Sequence, residues 1–352
     1  MRILKFAIVA SLAAAPAIAT AQTANVFAPG SDMWMHNGVY FGAGFAYQNW
    51  GMPKFTGANQ RRTVAGGPTN GEPVASYDQR LSVYGPEARI GYAFADGTMP
   101  AWLGRNFRVD LSGTWLTGRQ TSTTSIFTDH IVTNLQGLLV AGFNIANPAT
   151  TQLRTEVDRY RFGVRAAADF DVAPNLILSP SISGFGGRTK VNYDLAEAHF
   201  ATGVLSSVNL IADTNWTDIG GGVGAKLAYR MYPSVNFHIS GHVNLAHRRA
   251  TMTATHTYSA PAAAFFNASS ISESGTRLAI IPGGEIGVTY SEGNWLVVSL
   301  VGGAEYDNKV PGFRGPSVPA GLVAGQSGSP ERLTFSGQVN AFAMARVTVR
   351  IW

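Results

Sequence analysis

The segment from Arg332 to Trp352 alternates apolar and polar side chains almost to its last residue. Successive side chains of a β-strand point to opposite faces, so this segment has one apolar face and one polar face. It is longer than an ordinary strand of about 5–6 residues, and a tilted strand needs about 9–11 residues to cross a bilayer. The pattern therefore predicts a membrane-crossing strand. Phe342 and Met344 interrupt its polar face, and its apolar face carries Leu333, Phe335, Val339, Ala341, Ala343, Ala345, Val347, Val349 and Ile351.

Nine earlier segments repeat this two-residue period. The predicted strands are Gly38–Gln48, Arg80–Phe94, Phe107–Arg119, Val157–Val172, Leu176–Val191, Trp216–Met231, Val235–Thr255, Arg277–Tyr290 and Trp295–Asp307. The Gly85-Pro86 pair inside the second strand predicts a bulge or a change of facing, because proline cannot donate to a sheet ladder. Aromatic residues near the strand ends can form girdles at the membrane interfaces, and about half of them are expected to do so. They are Trp34, Tyr40, Trp50, Trp102, Trp115, Trp216, Tyr229, Tyr290, Trp295 and Trp352.

The connections between these strands alternate between short and long. The predicted long ones are 49–79, 120–156, 192–215, 257–276 and 308–331. Short periplasmic turns and long external loops are typical of outer-membrane barrels, and an open sheet in lipid would leave unpaired backbone groups at its edges. The sequence therefore predicts an all-β fold: a transmembrane antiparallel up-and-down β-barrel of about ten strands, with twelve as the alternative count.

Composition agrees with a membrane barrel and limits the other classes. Charged residues make up 13% of the chain, low against roughly 25% in soluble domains. There is no cysteine, so neither a disulfide framework nor a thiolate metal site is expected. The formal net charge of +5 is too mild to indicate a nucleic-acid partner.

The first residues have the pattern of a secretory signal peptide. Arg2 and Lys5 precede a short apolar stretch, and Ala19-Thr-Ala21 has the small residues of a cleavage site. The expected organisation is a signal peptide over residues 1–21, a short periplasmic segment over residues 22–37, and one barrel over residues 38–352. Export to the outer membrane is the expected localisation.

With these features the chain resembles the outer-membrane β-barrel proteins of Gram-negative bacteria. The resemblance implies that the C-terminal strand is read by the barrel-assembly machinery, through Val347, Val349, Ile351 and Trp352. It also implies outer-membrane lipid and lipopolysaccharide as surroundings, and it leaves a homo-oligomer open. Length and loop pattern are similar to pore-forming major-outer-membrane-protein-like families. This similarity implies a porin-like passive channel for small solutes or ions.

The inward faces of the predicted strands carry mixed charges, which could select ions inside a pore. A weak anion preference is expected from the excess of arginines. The alternative is a lumen filled by paired side chains, since a barrel of about eight strands holds only its own side chains. The predicted lumen and selectivity residues are Arg108, Asp110, Arg159, Arg161, Arg165, Lys226, Arg230, His238, His242, Arg248, Glu285, Glu305, Asp307 and Arg346.

The alternative function is a non-transporting barrel, acting as a surface adhesin or as a structural and interaction protein through its long external loops. No enzymatic activity, cofactor or metal is expected. His238 and His242 lie four residues apart on a strand, about 13 Å, which is too far for both to bind one ion. The apolar stretch 131–145 could constrict the barrel mouth, extend a strand, form another strand or contact a partner.

Overall fold

The computed structural model describes residues 37–56, 59–62, 69–73, 76–77, 79–126, 130–133, 139–143, 149–201, 204–258, 268–293, 295–315, 330 and 332–351. The signal-peptide prediction and Trp352 lie outside the described residues. Sixteen strands are present among them, together with a single 3-10 turn at Ala101–Leu103. No helix in this part of the chain is long and apolar enough to span a membrane.

Ten long strands pair side by side, all antiparallel, and close into a barrel. They are β1 (Gly38–Gly51), β6 (Arg80–Ala93), β7 (Arg105–Ile126), β10 (Ala149–Ala173), β11 (Leu176–Ala201), β12 (Val204–Tyr232), β13 (Val235–Tyr258), β14 (Ser269–Glu292), β15 (Leu296–Arg314) and β16 (Arg332–Arg350). The ring closes where β1 pairs with β16. Closure gives every strand two neighbours, although not along its whole length: residues 269–282 of β14 pair only with β13, and residues 118–126 of β7 pair only with β10. The predicted barrel of ten strands is confirmed, and the alternative count of twelve is wrong.

Six shorter strands lie outside the ring. They are β2 (Phe55–Thr56), β3 (Asn59–Arg62), β4 (Thr69–Pro73), β5 (Ser76–Tyr77), β8 (His130–Thr133) and β9 (Leu139–Phe143). β2 pairs with β5, and the other four form one sheet in the order β4-β3-β8-β9. Most of the apolar stretch 131–145 therefore forms two strands of this small sheet, which is one of the four predicted alternatives.

One end of the barrel, named here the turn end, holds both Gly38 and Arg350 and the short connections after Ala93, Ala173, Tyr232 and Glu292. The opposite end is the loop end. There the strands run much further than predicted, and β12 is 29 residues long, roughly 95 Å at about 3.3 Å per residue. The predicted loop 192–215 is wrong, because β11 and β12 continue through it as a paired hairpin. The predicted loop 120–156 likewise contains the ends of β7 and β10.

The facing of apolar side chains reverses part-way along these strands. Near the turn end they point outward: Phe162 is 66% exposed and Ile219 is 67% exposed. Further along the same strands they point inward: Leu153 and Leu210 are both 1% exposed. The first part has the outward apolar face that a bilayer requires, and the second has the inward apolar core of a barrel in water. They are named here the lipid zone and the projecting zone.

The reversal occurs at one row of hydrogen-bonded neighbours, named here the boundary row. It runs across β7, β10, β11, β12, β13 and β14 through Trp115, Tyr160, Arg188, Thr217, Arg249 and Thr276. On β12 the lipid zone runs from Ile219 to Tyr229, about 11 residues, which agrees with the length needed to cross a bilayer at a tilt. The predicted two-residue period is present in both zones. Its apolar residues face outward in the lipid zone and inward in the projecting zone.

The Gly85-Pro86 prediction is wrong, because β6 keeps a strict alternation of exposed and buried residues through both positions. Pro86 lies opposite Phe45 in the ladder and points outward.

Inward glycines accommodate large neighbours elsewhere. A Cβ atom at Gly91 would overlap the ring of Tyr40 from the adjacent strand. Small and large inward residues therefore alternate across the wall, which fills the interior.

Candidate functional site

The barrel interior is the candidate site, and the structure places nearly all predicted lumen residues inside it. Thirteen of them are at most 9% exposed: Arg108, Asp110, Arg159, Arg161, Arg165, Lys226, His238, His242, Arg248, Glu285, Glu305, Asp307 and Arg346. Arg230 is the exception. It is half-buried at the turn end, where it lines a cavity of about 460 Å³ with Arg105 and Asp171. It has the same facing on β12 as the buried Lys226 and Ala228, at the end of the lumen.

Asp110 organises the charges nearest the turn end. Its carboxylate accepts hydrogen bonds from the Nε atom of Arg89 at 2.9 Å, from the Nε and Nη2 atoms of Arg165 at 3.0 and 2.8 Å, and from the hydroxyl of Tyr40. The Arg89 and Tyr40 side chains also stack, with 5.5 Å from the guanidinium carbon to the ring centroid. The guanidinium groups of Arg89 and Arg165 thus share the carboxylate of Asp110, and all three side chains are buried.

Two further contacts extend this cluster. Arg108 donates to Asp169 at 3.0 Å, and the Ser179 hydroxyl donates to the same carboxylate oxygen at 2.6 Å. Arg346 on β16 forms a buried ion pair with Glu87 on β6, across β1. Each of these side chains is nearly inaccessible to water. Such partners must be supplied by the protein, because a buried unpaired charge is very costly.

A second charged cluster lies near the boundary row. The Arg248 guanidinium binds Asp218 at 2.7 and 2.9 Å, and it binds Asp307 at 2.9 Å. The same guanidinium lies 5.9 Å from the Trp216 ring. Arg159 donates to Gln48 at 3.0 Å and lies 5.6 Å from the Trp50 ring.

The two tryptophan rings themselves are 5.5 Å apart. Trp50 and Trp216 are therefore not among the interfacial aromatic residues, because both side chains point into the barrel. Trp115 and Trp295 do lie on the outer surface, at 47% and 55% exposure.

An apolar core fills the projecting zone above these charges. Phe55, from the segment between β1 and β6, is 1% exposed. Its ring stacks against Tyr193 of β11 at 5.0 Å and against Phe313 of β15 at 4.9 Å. Walls and inserted segment together bury Met52, Tyr77, Leu81, Val83, Leu116, Leu153, Val157, Val191, Leu195, Leu210, Met252 and Val310 in the same cluster.

Hydrogen bonds also hold the inserted segment. The Tyr77 hydroxyl is bonded to the hydroxyl of Thr151, which donates in turn to the carbonyl of Thr124 at 3.2 Å. Tyr77 is therefore the donor in its bond with Thr151. Burial raises the pKa of the Tyr77 phenol, so it stays protonated at neutral pH. The backbone N–H of Met52 donates to the carbonyl of Gln79 at 3.0 Å, which joins the two ends of the segment, and the Thr155 hydroxyl of β10 donates to the side chain of Gln79 at 3.2 Å.

The buried charges balance. Among the buried side chains of the described residues there are eight cations and eight carboxylates: Arg89, Arg108, Arg159, Arg161, Arg165, Lys226, Arg248 and Arg346 against Glu87, Asp110, Asp169, Glu197, Asp218, Glu285, Glu305 and Asp307. The excess of inward arginines, which motivated the expected anion preference, is therefore absent. Within the same residues no group of three or more histidine, aspartate and glutamate side chains could hold a metal ion.

Sequence reasoning missed part of this interior. Glu87 and Arg89 alternate with Ala88 and Ile90, a signal that the expected change of facing at Gly85-Pro86 concealed. The inward apolar residues of the projecting zone were also detectable in principle. Thr251-Met252-Thr253-Ala254-Thr255 alternates apolar and hydroxyl residues, and Met252 and Ala254 face inward.

The fold and interior define a transmembrane antiparallel β-barrel whose lumen is filled by its own side chains. No family model matches the sequence, and no curated protein matches it. Three solved structures align with most of the chain. The outer membrane protease OmpT from Escherichia coli aligns with a TM-score of 0.43 and 10% identity, over 89% of this chain and 97% of that one.

The other two structures come from Pseudomonas putida. An outer membrane channel of strain F1 aligns with a TM-score of 0.33 and 10% identity, over 92% of this chain and 98% of that one. The toluene transporter TodX aligns with a TM-score of 0.23 and 7% identity, over 89% and 90% of the two chains. At these values the similarities assign no activity to the chain, and its class rests on its own closed strand pairing.

Proposed function

We propose that this protein is an outer-membrane barrel that is closed to solutes and acts at the cell surface as a structural or interaction protein. The projecting zone is the part that partners would contact. The observation that carries this proposal is the apolar core of the projecting zone, in which Phe55 is packed between Tyr193 and Phe313. An ion that crossed the barrel would have to lose its water in this core, which is strongly unfavourable.

The paired charges below the core support the same proposal. They bind one another, as Arg248 binds Asp218 and Asp307, and their side chains are buried inside the described part of the barrel. Outer-membrane placement rests on the closed sheet with an outward apolar zone and on the signal peptide expected from the sequence. Lipopolysaccharide and the barrel-assembly machinery belong to this proposal as partners, and no enzymatic reaction does.

A passive channel for small solutes is the second candidate. One observation favours it: the core is completed by Met52, Phe55 and Tyr77, which belong to the segment between β1 and β6 and not to the barrel wall. Displacing that segment would remove part of the core and would leave the wall intact. In this case the barrel would conduct only while the segment is displaced.

Planar-bilayer recording separates the two candidates. The purified protein is first shown to be folded by its β-rich circular dichroism and its heat-dependent mobility in electrophoresis. The proposal expects no discrete current steps from the folded wild-type protein at potentials up to 100 mV. Reproducible steps from the wild-type protein would favour the channel and would contradict a barrel closed to solutes.

A further inference from the structure

Two outward-facing arginines lie side by side on the boundary row. Arg188 on β11 and Arg249 on β13 flank Thr217 on β12, and all three side chains are exposed. Neighbouring strands are about 4.8 Å apart, so the two arginine Cα positions are roughly 9.6 Å apart. This spacing allows both long side chains to reach one anion above Thr217. In the strand pairing no carboxylate is opposite either arginine, because their other neighbours are Tyr160 and Thr276.

Aromatic residues set the depth of this row in the membrane. Trp115 and Tyr160 belong to the same row, and their rings stack with centroids 5.9 Å apart and an interplanar angle of 9°. Tryptophan and tyrosine on the outer surface of a membrane protein concentrate at the level of the lipid headgroups. Arg188 and Arg249 therefore lie at headgroup level on the loop-end side of the membrane.

An apolar groove in the lipid-facing wall ends just below these arginines. It has a volume of about 610 Å³ and is lined by Leu111, Phe162, Val164, Gly184, Gly186 and Ile219 together with Ser112, Gly163 and Phe185. The outward Gly184 leaves it open, whereas the ring of Phe162 lies over Gly186. Gly186 precedes Arg188 by two residues on the same face of β11, a distance of about 6.6 Å. An acyl chain in the groove would thus place its headgroup beside Arg188.

At the opposite rim of the same strands, Arg105 and Arg230 line a cavity together with Asp171, with which Arg105 is ion-paired. At the turn end the outward positions of these strands are apolar or aromatic, with Phe170, Leu178, Tyr229, Phe237 and Val288. The basic pair and the groove therefore select one leaflet, the outer one in the orientation expected for an outer-membrane barrel. A cation near an anionic membrane surface contributes to lipid binding, and arginine binds phosphate through two parallel hydrogen bonds.

From this juxtaposition we propose that the outer wall of β10–β13 binds one phosphorylated glycolipid of the outer leaflet. An acyl chain occupies the groove at Gly184, and a headgroup phosphate is bound by Arg188 and Arg249. The inference uses the outer-membrane placement proposed above, but it is independent of whether the lumen is closed.

The test is native mass spectrometry of the detergent-solubilised full chain with bisphosphorylated lipid A as the probe. The wild-type protein is expected to retain one lipid A molecule. The variant R188S/R249S should weaken this binding by roughly tenfold or more. Gly184→Leu should weaken it as well, because a side chain there fills the groove. The nearest atom to a Cβ at position 184 is a Val164 methyl carbon at 3.7 Å, an ordinary contact, so the variant should fold.

Two control variants make the same kinds of substitution away from the proposed lipid site. The variant R80S/R105S removes two exposed arginines outside the boundary row, and Gly241→Leu fills an outward glycine whose nearest contact is 3.9 Å away. Both should retain lipid A as the wild type does. The inference is overturned if the site variants bind as the wild type does, if the controls lose binding equally, or if dephosphorylated lipid A binds as tightly. Displacement of lipid A by millimolar inorganic phosphate alone would also contradict a lipid site. None of these outcomes bears on whether the lumen is closed. The proposed function is tested separately, by the absence of current steps in the bilayer recording.

Discussion

The lipid zone and the projecting zone are built from the same ten strands with opposite facing. In the lipid zone the outward side chains are apolar and the inward ones include buried ion pairs such as Arg165 with Asp110. In the projecting zone the outward side chains are mostly polar, as Lys190 and Thr253 are, and the inward ones are mostly apolar, with Ile211 and Glu197 as exceptions to the two rules. The comparison shows that the solvent outside the wall decides which half of the alternation is apolar, while the pairing of β7, β10, β11, β12, β13 and β14 is continuous through both zones.

The difference also sets what fills the interior. In the lipid zone outward apolar residues are favourable against lipid, and inward polar groups are stable only when paired with one another. In the projecting zone water surrounds the wall, so burial of apolar surface stabilises the barrel as it does in a soluble protein. Removal of one buried partner should therefore have a larger effect in the lipid zone than removal of a side chain in the projecting zone.

The largest effect is expected from Asp110→Ala. The substitution leaves the Arg89 and Arg165 guanidinium groups buried without their shared carboxylate, so unfolding in urea with detergent should show a loss of about 3–5 kcal/mol. The matched control is Asp171→Ala, which breaks an ion pair with Arg105 in which both side chains are 49% exposed and which should cost at most about 1 kcal/mol. Equal losses in the two variants would refute the claim that burial makes the interior pairs critical.

Phe55→Ala tests the apolar core of the projecting zone. Loss of the stacked ring should destabilise the core by about 3 kcal/mol and should free the segment between β1 and β6 from the barrel. Limited proteolysis of this segment should accelerate in the variant, while cleavage within the barrel strands should not. Lys54→Ala, at the exposed neighbouring position, is the control and should leave proteolysis unchanged. Equal protection of the two variants would show that Phe55 does not anchor the segment.

A smaller effect is expected from Gly91→Ala, which tests how tightly the lipid-zone interior is packed. A methyl group at this position would overlap the Tyr40 ring and the Asp110 carboxylate, and such overpacking costs about 1–3 kcal/mol. Gly241→Ala adds the same methyl group on the outward face, where there is space, and should change stability by less than about 0.5 kcal/mol. Urea titration of both proteins measures the difference. A lumen wide enough for water would accept both substitutions equally.

The smallest effect is expected at the outer surface of the projecting zone. Arg119 and Glu156 form an ion pair of 2.5 Å, and Arg154 binds the same carboxylate at 2.6 Å. Because these groups are largely exposed, Arg119→Ala should cost about 0.2–1 kcal/mol, and the loss should shrink in high salt. A loss as large as that of Asp110→Ala would mean that this surface is buried, for instance against a partner chain.

Much of the fold was predictable because the two-residue period is a local property. Facing along β10 followed from Tyr160, Phe162 and Val164 alternating with the arginines, and each strand gave this signal independently. The pairing inside was not predictable, because Arg248 meets Asp218 and Asp307 only through the register of three other strands. The projecting zone was mistaken for loops, since polar outward residues such as Asn192 and Asp194 have the composition of exposed connections.

The reversal of facing at the boundary row is the central claim, and cysteine scanning along β13 tests it most directly, because the chain has no native cysteine. In proteoliposomes, Thr253→Cys should react rapidly with a charged, water-soluble maleimide and Ile239→Cys should react only with a lipid-soluble one. Met252→Cys should react slowly with both, since position 252 is buried in the core. Rapid labelling of Ile239→Cys by the charged reagent, or protection of Thr253→Cys by lipid, would contradict the reversal.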